Sequence, residues 1–169
     1  MNKLKLIAFG FLSFSLLLTA CESDNDTLLQ PDRSRYISNY DFFLTAAQQI
    51  PSNTSTASGR IEGTYDRKTK TYTYKLTWAG LGSAVTGIHI HGIADRGFIA
   101  LPPPLGPFAN GIVQSFSGYS TATSGTYNGS LYVDGTVVRE TDLLAGKFYV
   151  DIHTANRTGG EIRAQILFP

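Results

Sequence analysis

The sequence predicts an all-β fold, an antiparallel β-sandwich or a barrel, and three observations carry that prediction. In "TYTYKLTW" the apolar-faced residues Tyr72, Tyr74, Leu76 and Trp78 alternate strictly with Thr71, Thr73, Lys75 and Thr77. Such a period of two puts one face in a core and the other in water. Further short runs of β-branched and aromatic residues are separated by Gly, Asn, Asp and Pro, the punctuation of many short strands. Charged residues make up 16% and aromatics 12% of the chain, a balance that suits an extracytoplasmic β protein better than a helical one.

Taken in order, "GRIEGTYD" sets Ile61, Gly63 and Tyr65 against Arg60, Glu62 and Thr64, and the charged turn in "YDRKTKTY" joins it to the Thr71–Trp78 run as an antiparallel pair. Later strands are expected at Thr86–His91, Gly111–Phe116, Thr126–Val133, Lys147–His153 and Glu161–Phe168. The segment Arg139 to Lys147 ("RETDLLAGK") reads as the one helical turn, closed by Gly146. "ALPPPLGPFANG" cannot be a central strand, because proline lacks the N–H that a ladder needs; it reads as a stiff surface loop. Asp95-Arg96-Gly97 reads as a turn.

The first residues belong to targeting rather than to the fold. Lys3 and Lys5 precede an apolar run from Leu6 to Leu18, and "LTAC" ends it at Cys21, the single cysteine. The pattern resembles a bacterial lipobox, which implies a signal peptide over 1–20, lipidation of Cys21, and a protein held to a membrane outside the cytoplasm. The acidic "ESDND" behind Cys21 resembles surface-targeting stretches of some lipoproteins, which points to the outer membrane or cell surface. Residues 21–39 then read as a polar tether and 40–169 as the domain. Without Lys3 and Lys5 the chain has 12 basic and 13 acidic side chains, a formal charge of −1. No basic cluster exists, so nucleic acid is not the expected partner.

The chemistry centres on "GIHIHG". Residues i and i+2 share a strand face about 6.5 Å apart, so His89 and His91 project together while Ile88 and Ile90 turn to the core. In "FYVDIHTANRTGGEIRAQI", His153 shares a face with Asp151 and Tyr149, and Glu161, Arg163 and Gln165 form the polar face of the last strand. If the two histidine segments are neighbours, three imidazoles can hold one transition ion at about 2.0–2.1 Å with one position open. Asp151, Glu161 or Arg163 would then orient the ligands from behind. The competing reading is structural: the imidazoles tie strand ends to backbone carbonyls or to Asp151 and Glu161 without an ion. Ring centres farther apart than about 8 Å would leave no common ion. Glu161 and Arg163 are also expected to pair with each other or across strands at the surface. No nucleophile elbow, phosphate loop or zincin helix is present, so no catalytic residue is assigned.

Two resemblances follow from these motifs. "LTAAQQIPSNTSTASGRIEGTYDRKTKTYTYKLTWAGL", "GIHIHG" and "LLAGKFYVDIHTANRTGGEIRAQI" together resemble a CHRD domain, the module named after chordin, over roughly Asp41 to Phe168. Ala164 stands where the family usually has glycine. The resemblance implies a β-sandwich-like extracellular module and no settled reaction. "GIHIHGIADRG" is similar, more loosely, to the copper strand of Cu/Zn superoxide dismutases, whose Greek-key fold and copper ligands it would carry to His89, His91 and His153. Three histidines and one cysteine cannot supply the bridging histidine, the zinc-loop histidines or the disulfide, so only a copper-only site could be built. The sequence therefore points to an anchored binding or envelope-surface module with a three-histidine copper or zinc site. A copper-dependent oxidoreductase and a metal-free adhesion or matrix module using the "ALPPPLGPF" loop are the alternatives, with a protein or glycan partner unspecified.

Overall fold

A computed structural model describes residues 35–38 and 43–168. The expected signal peptide, the lipidation site Cys21 and most of the tether lie outside the described residues. Among those described, the strands are β1 (Arg35–Ser38), β2 (Phe43–Thr45), β3 (Ser58–Asp66), β4 (Thr71–Ala79), β5 (Val85–His91), β6 (Ile112–Ser115), β7 (Gly125–Tyr132), β8 (Tyr149–Thr154) and β9 (Arg157–Gln165), with one short helix, α1 (Glu140–Leu144), before β8.

The fold is all-β, with eight antiparallel strands in the order β6-β5-β8-β9-β2-β3-β4-β7 and β1 added alongside β2 on β3. The sheet curls into a nearly closed barrel. Gln114 of β6 links its two edge strands: it donates from Nε2 to the Ser130 carbonyl of β7 at 2.8 Å and accepts from the Tyr74 hydroxyl at 2.9 Å, and Phe116 after β6 stacks on Tyr127 of β7. The inward faces follow the predicted alternation. Tyr72, Tyr74, Leu76 and Trp78 of β4 are buried together with Ile88 and Ile90 of β5, Val150 and Ile152 of β8, and Ile162, Ala164 and Ile166 around β9. At about 25 cal/mol per Å² of apolar surface removed from water, this closed interior is the main source of stability.

Two boundaries differ from expectation. Residues 35–38, read as the end of the tether, pair with β3 from Arg35↔Asp66 to Ser38↔Gly63; the lower half of β3, beyond the three-residue β2, has ladder groups that need a partner. "TANRTGG", read as a loop, is mostly strand. Thr154 pairs with Arg157 across a two-residue turn at Ala155-Asn156, which Asn156 fixes by donating from its backbone N–H to Ser83 Oγ at 2.9 Å. Gly92 ends β5 against the Phe148 ring, which occupies the place a Cβ would need; the glycine allows this close approach.

Candidate metal centre

The three histidines and Asp151 come from two adjacent strands, and the register explains how. β5 and β8 are antiparallel neighbours with His89 opposite Asp151, His91 opposite Tyr149 and Gly87 opposite His153. Period-two alternation then gives all five polar or aromatic side chains the same face, while Ile88, Ile90, Val150 and Ile152 fill the barrel. Gly87 matters locally: a Cβ there would lie 3.1 Å from His89 Cε1, so glycine leaves the ring the room it uses.

The ring centres are 4.9 Å apart for His89 and His153, 5.5 Å for His89 and His91, and 6.4 Å for His91 and His153. All fall inside the ceiling set for a shared ion. Their nitrogens converge on one atom. Asp151 Oδ1 is 3.1 Å from His153 Nε2, 3.2 Å from His91 Nε2 and 4.0 Å from His89 Nδ1. The four donor atoms lie within 4.8 Å of one another.

Hydrogen bonding around this oxygen is incomplete. His153 donates from Nε2 to Asp151 Oδ1, and its Nδ1 lies 2.8 Å from the Thr158 carbonyl. A carbonyl and a carboxylate both only accept, so both ring nitrogens of His153 carry protons and the ring is cationic. His89 Nδ1 and His91 Nε2 are buried and make no hydrogen bond; His91 Nε2 is close to the carboxylate but off the hydrogen-bonding direction. Leaving a buried polar atom unpaired costs about 1–3 kcal/mol. Two such atoms aimed at one point form a donor set that lacks its acceptor.

The electrostatics agree with this geometry. Burial pushes the Asp151 carboxyl up, but the bond from His153 and the approach of His91 outweigh it and hold the group at about 2. Burial pushes His153 down, yet its bond to Asp151, the carboxylate charge and the Thr158 carbonyl hold it above the ordinary imidazole value. Burial and then the neighbouring His153 charge push His89 down, so its lone pair is available at neutral pH. Asp151 therefore supplies a fixed negative charge at the point where the imidazoles meet.

The residues expected behind the ligands are placed differently. Asp151 bonds His153 and lies close to His89 and His91. Glu161 touches none of the imidazoles. Only 1% exposed, it accepts from Ser55 Oγ at 2.6 Å, Thr154 Oγ1 at 2.6 Å and the Gly82 N–H at 2.8 Å. Arg163, opposite Asp151 in β9, makes no ion pair with Glu161 and is not at the surface. Its guanidinium lies 3.4 Å from the centre of the Tyr149 ring, and that ring stacks on His91 at 5.0 Å and 9°. The hairpin turn puts Glu161 under the loops at 55 and 82, which accounts for its partners. One contributor escapes a residue-by-residue reading, the Thr158 carbonyl, whose role needs the hairpin; Tyr149 lies on the Asp151–His153 face, as its spacing predicts.

The proline loop leaves β5 after Gly92. Ala94 and Ala100 pack on Tyr149, whereas Phe98 and Leu105 are 67% and 78% exposed. The turn expected at Asp95-Arg96-Gly97 is present, closed by the Phe98 N–H donating to the Asp95 carbonyl at 3.0 Å.

The model of the CHRD domain matches residues 40–166 of the chain. The protein belongs to the CHRD family. No curated protein and no solved structure matches it significantly. In this CHRD domain the "GIHIHG" and "VDIHT" segments are thus the two halves of a single cluster of His89, His91, Asp151 and His153, which could bind a metal ion.

Proposed function

We propose that this CHRD protein is an extracytoplasmic metal-binding module, anchored by lipid at Cys21, that holds one copper or zinc ion on His89, His91 and His153 with Asp151 as the fourth donor. The reading rests on one observation: two buried imidazole nitrogens without partners face a buried carboxylate oxygen that a third imidazole already contacts. A purely structural histidine cluster would satisfy those atoms, since native interiors pair nearly all of theirs. Imidazole nitrogen with carboxylate oxygen is a donor set suited to zinc or copper(II) rather than to calcium or magnesium.

Donors around a tetrahedral ion at about 2.0–2.1 Å stand roughly 3.3 Å apart, so the set must draw in slightly. His89, the most exposed of the three rings, is the one with space to turn. His153 Nε2 gives up its proton to become a ligand, while Nδ1–H stays on the Thr158 carbonyl and keeps the ring oriented. A bound ion supplies positive charge to offset the Asp151 carboxylate, and Arg163 behind Tyr149 adds to the positive field. With Asp151 as a ligand, a four-coordinate site has no vacant position, which favours binding or storage over turnover.

Electron paramagnetic resonance of the copper(II)-loaded protein tests the ligand set. Hyperfine structure from three imidazole nitrogens, reduced to two in His89→Ala, is expected; a spectrum unchanged by that substitution contradicts the proposal. A superoxide-consumption assay on the same sample addresses the copper-oxidoreductase alternative, whose signature would be turnover far above that of free copper. The contact-module alternative is supported by the exposed Phe98 and Leu105, and it is compatible with a metal site on the same domain.

A further inference from the structure

A second site lies on the other side of Tyr149. Arg163 is 2% exposed, and a guanidinium that far from water is expected to have a carboxylate partner, because desolvating an unpaired charge is expensive. It has none. Its hydrogen bonds all leave from Nη2, to the Phe98 carbonyl at 2.8 Å and to Gln165 Oε1 at 3.2 Å, both neutral acceptors. Nε and Nη1 make no hydrogen bond to any described residue. Burial pushes the group down from its ordinary value, and the neighbouring Tyr149 and Asp151 offset only part of that.

Arg163 also lines a half-open cavity of about 160 Å³, together with residues 47–50, the turn at Arg96-Gly97, and Gln165. Among the described residues no carboxylate lines it. The wall also carries Arg96 and Gln49, a residue 6% exposed whose Nε2 is buried and unpaired and whose carboxamide lies against Gly160. Gln165 cannot serve as a donor there, because its Nε2 already bonds the Ala94 and Gly146 carbonyls at 2.9 and 2.7 Å. The volume corresponds to roughly five water molecules at about 30 Å³ each, well below the few hundred Å³ of a drug-sized pocket.

We infer that this cavity binds a small oxyanion, a carboxylate or an inorganic equivalent of similar size, between the guanidinium of Arg163 and the carboxamide of Gln49, with Arg96 at its wall. The planar donor edge of an arginine matches two oxygens of such an anion. Size restricts the ligand to one with few heavy atoms, and the charged side chains among the described lining residues, Arg96 and Arg163, are both positive. The site is independent of the metal reading.

Calorimetric titration of the full-length, detergent-solubilised protein with acetate, bicarbonate and inorganic phosphate tests this. Ionic strength is fixed and EDTA is present throughout, so that metal uptake plays no part. At least one of the three is expected to bind saturably with one anion per chain, shifting the Arg163 Nε–H resonance in parallel. Gln49→Leu and Arg96→Gln, which keep the test open should Arg163→Gln not fold, are each expected to weaken that binding about tenfold, the equivalent of about 1.4 kcal/mol for one lost hydrogen bond to a charged group. Absence of saturation with all three anions, or equal affinity in both variants and the parent, overturns the proposal. The relative affinities tell a carboxylate from carbonate or phosphate.

Discussion

His153 and Asp151, two positions apart on β8, face each other with Nε2 3.1 Å from Oδ1, while the opposite nitrogen of the same ring is held by the Thr158 carbonyl. The pair makes a charged, preoriented platform on which His89 and His91 converge. A ring protonated at both nitrogens has to shed a proton before it can ligate.

Metal uptake should therefore release protons. His153 is held above its ordinary pKa, so more than half a proton per ion should leave at pH 6.5, with the number falling as the pH is raised. Calorimetry in buffers of different ionisation enthalpy measures the number. Uptake with no proton released at pH 6.5 would mean that His153 is not a ligand.

His91→Phe separates a metal site from a structural cluster. Phenylalanine can keep the stack on Tyr149 and removes an unpaired buried nitrogen. The metal-free variant should stay within about 1 kcal/mol of the parent in a urea melt, since removing the unpaired nitrogen offsets the loss of its proximity to Asp151. A loss of several kcal/mol would instead show that His91 ties the fold together.

Glu161 should govern acid stability from outside the metal centre. Burial pushes its carboxyl up, but Ser55, Thr154 and the Gly82 N–H together hold it below the ordinary value. A depressed folded pKa contributes stability above the unfolded value of about 4.3, and that contribution is lost as the pH falls through the folded one. Glu161→Gln should thus be less stable than the parent at pH 7, with the gap narrowing as the pH falls below about 4.3. A gap that stays constant from pH 7 to pH 3 rules the account out.

Gln114 should matter beyond its exposed strand, because it joins the two barrel edges. Gln114→Leu leaves the Tyr74 hydroxyl and the Ser130 carbonyl without these partners and should cost about 1–3 kcal/mol. Hydrogen exchange should quicken along β6 and the facing edge of β7. Unchanged exchange there would place the closure elsewhere.

Much of this arrangement could be read from residue order, and the rest depended on contacts between distant segments. Strict alternation marked β4, and the Ile88/His89/Ile90/His91 pattern assigned each ring to a face. The same spacing put Asp151 beside His153. It could not reveal that β5 and β8 are neighbours, which brings the same carboxylate close to His89 and His91 as well. Arg163 looked like a surface cation because a strand's polar face usually meets water; here the loop after Gly92 folds back over that face and buries it. Residues 35–38 looked like tether because four residues carry too little periodicity, and only the unpaired edge of β3 gives them a role.

Metal content per chain tests the central claim most directly. The protein is loaded with zinc or copper at pH 7.5, passed through a desalting column and analysed beside His89→Ala and Asp151→Asn. One ion per chain in the parent, with most of it lost from both variants, is the predicted result; a parent that elutes without metal, or variants that retain it in full, would contradict a site built from these four residues.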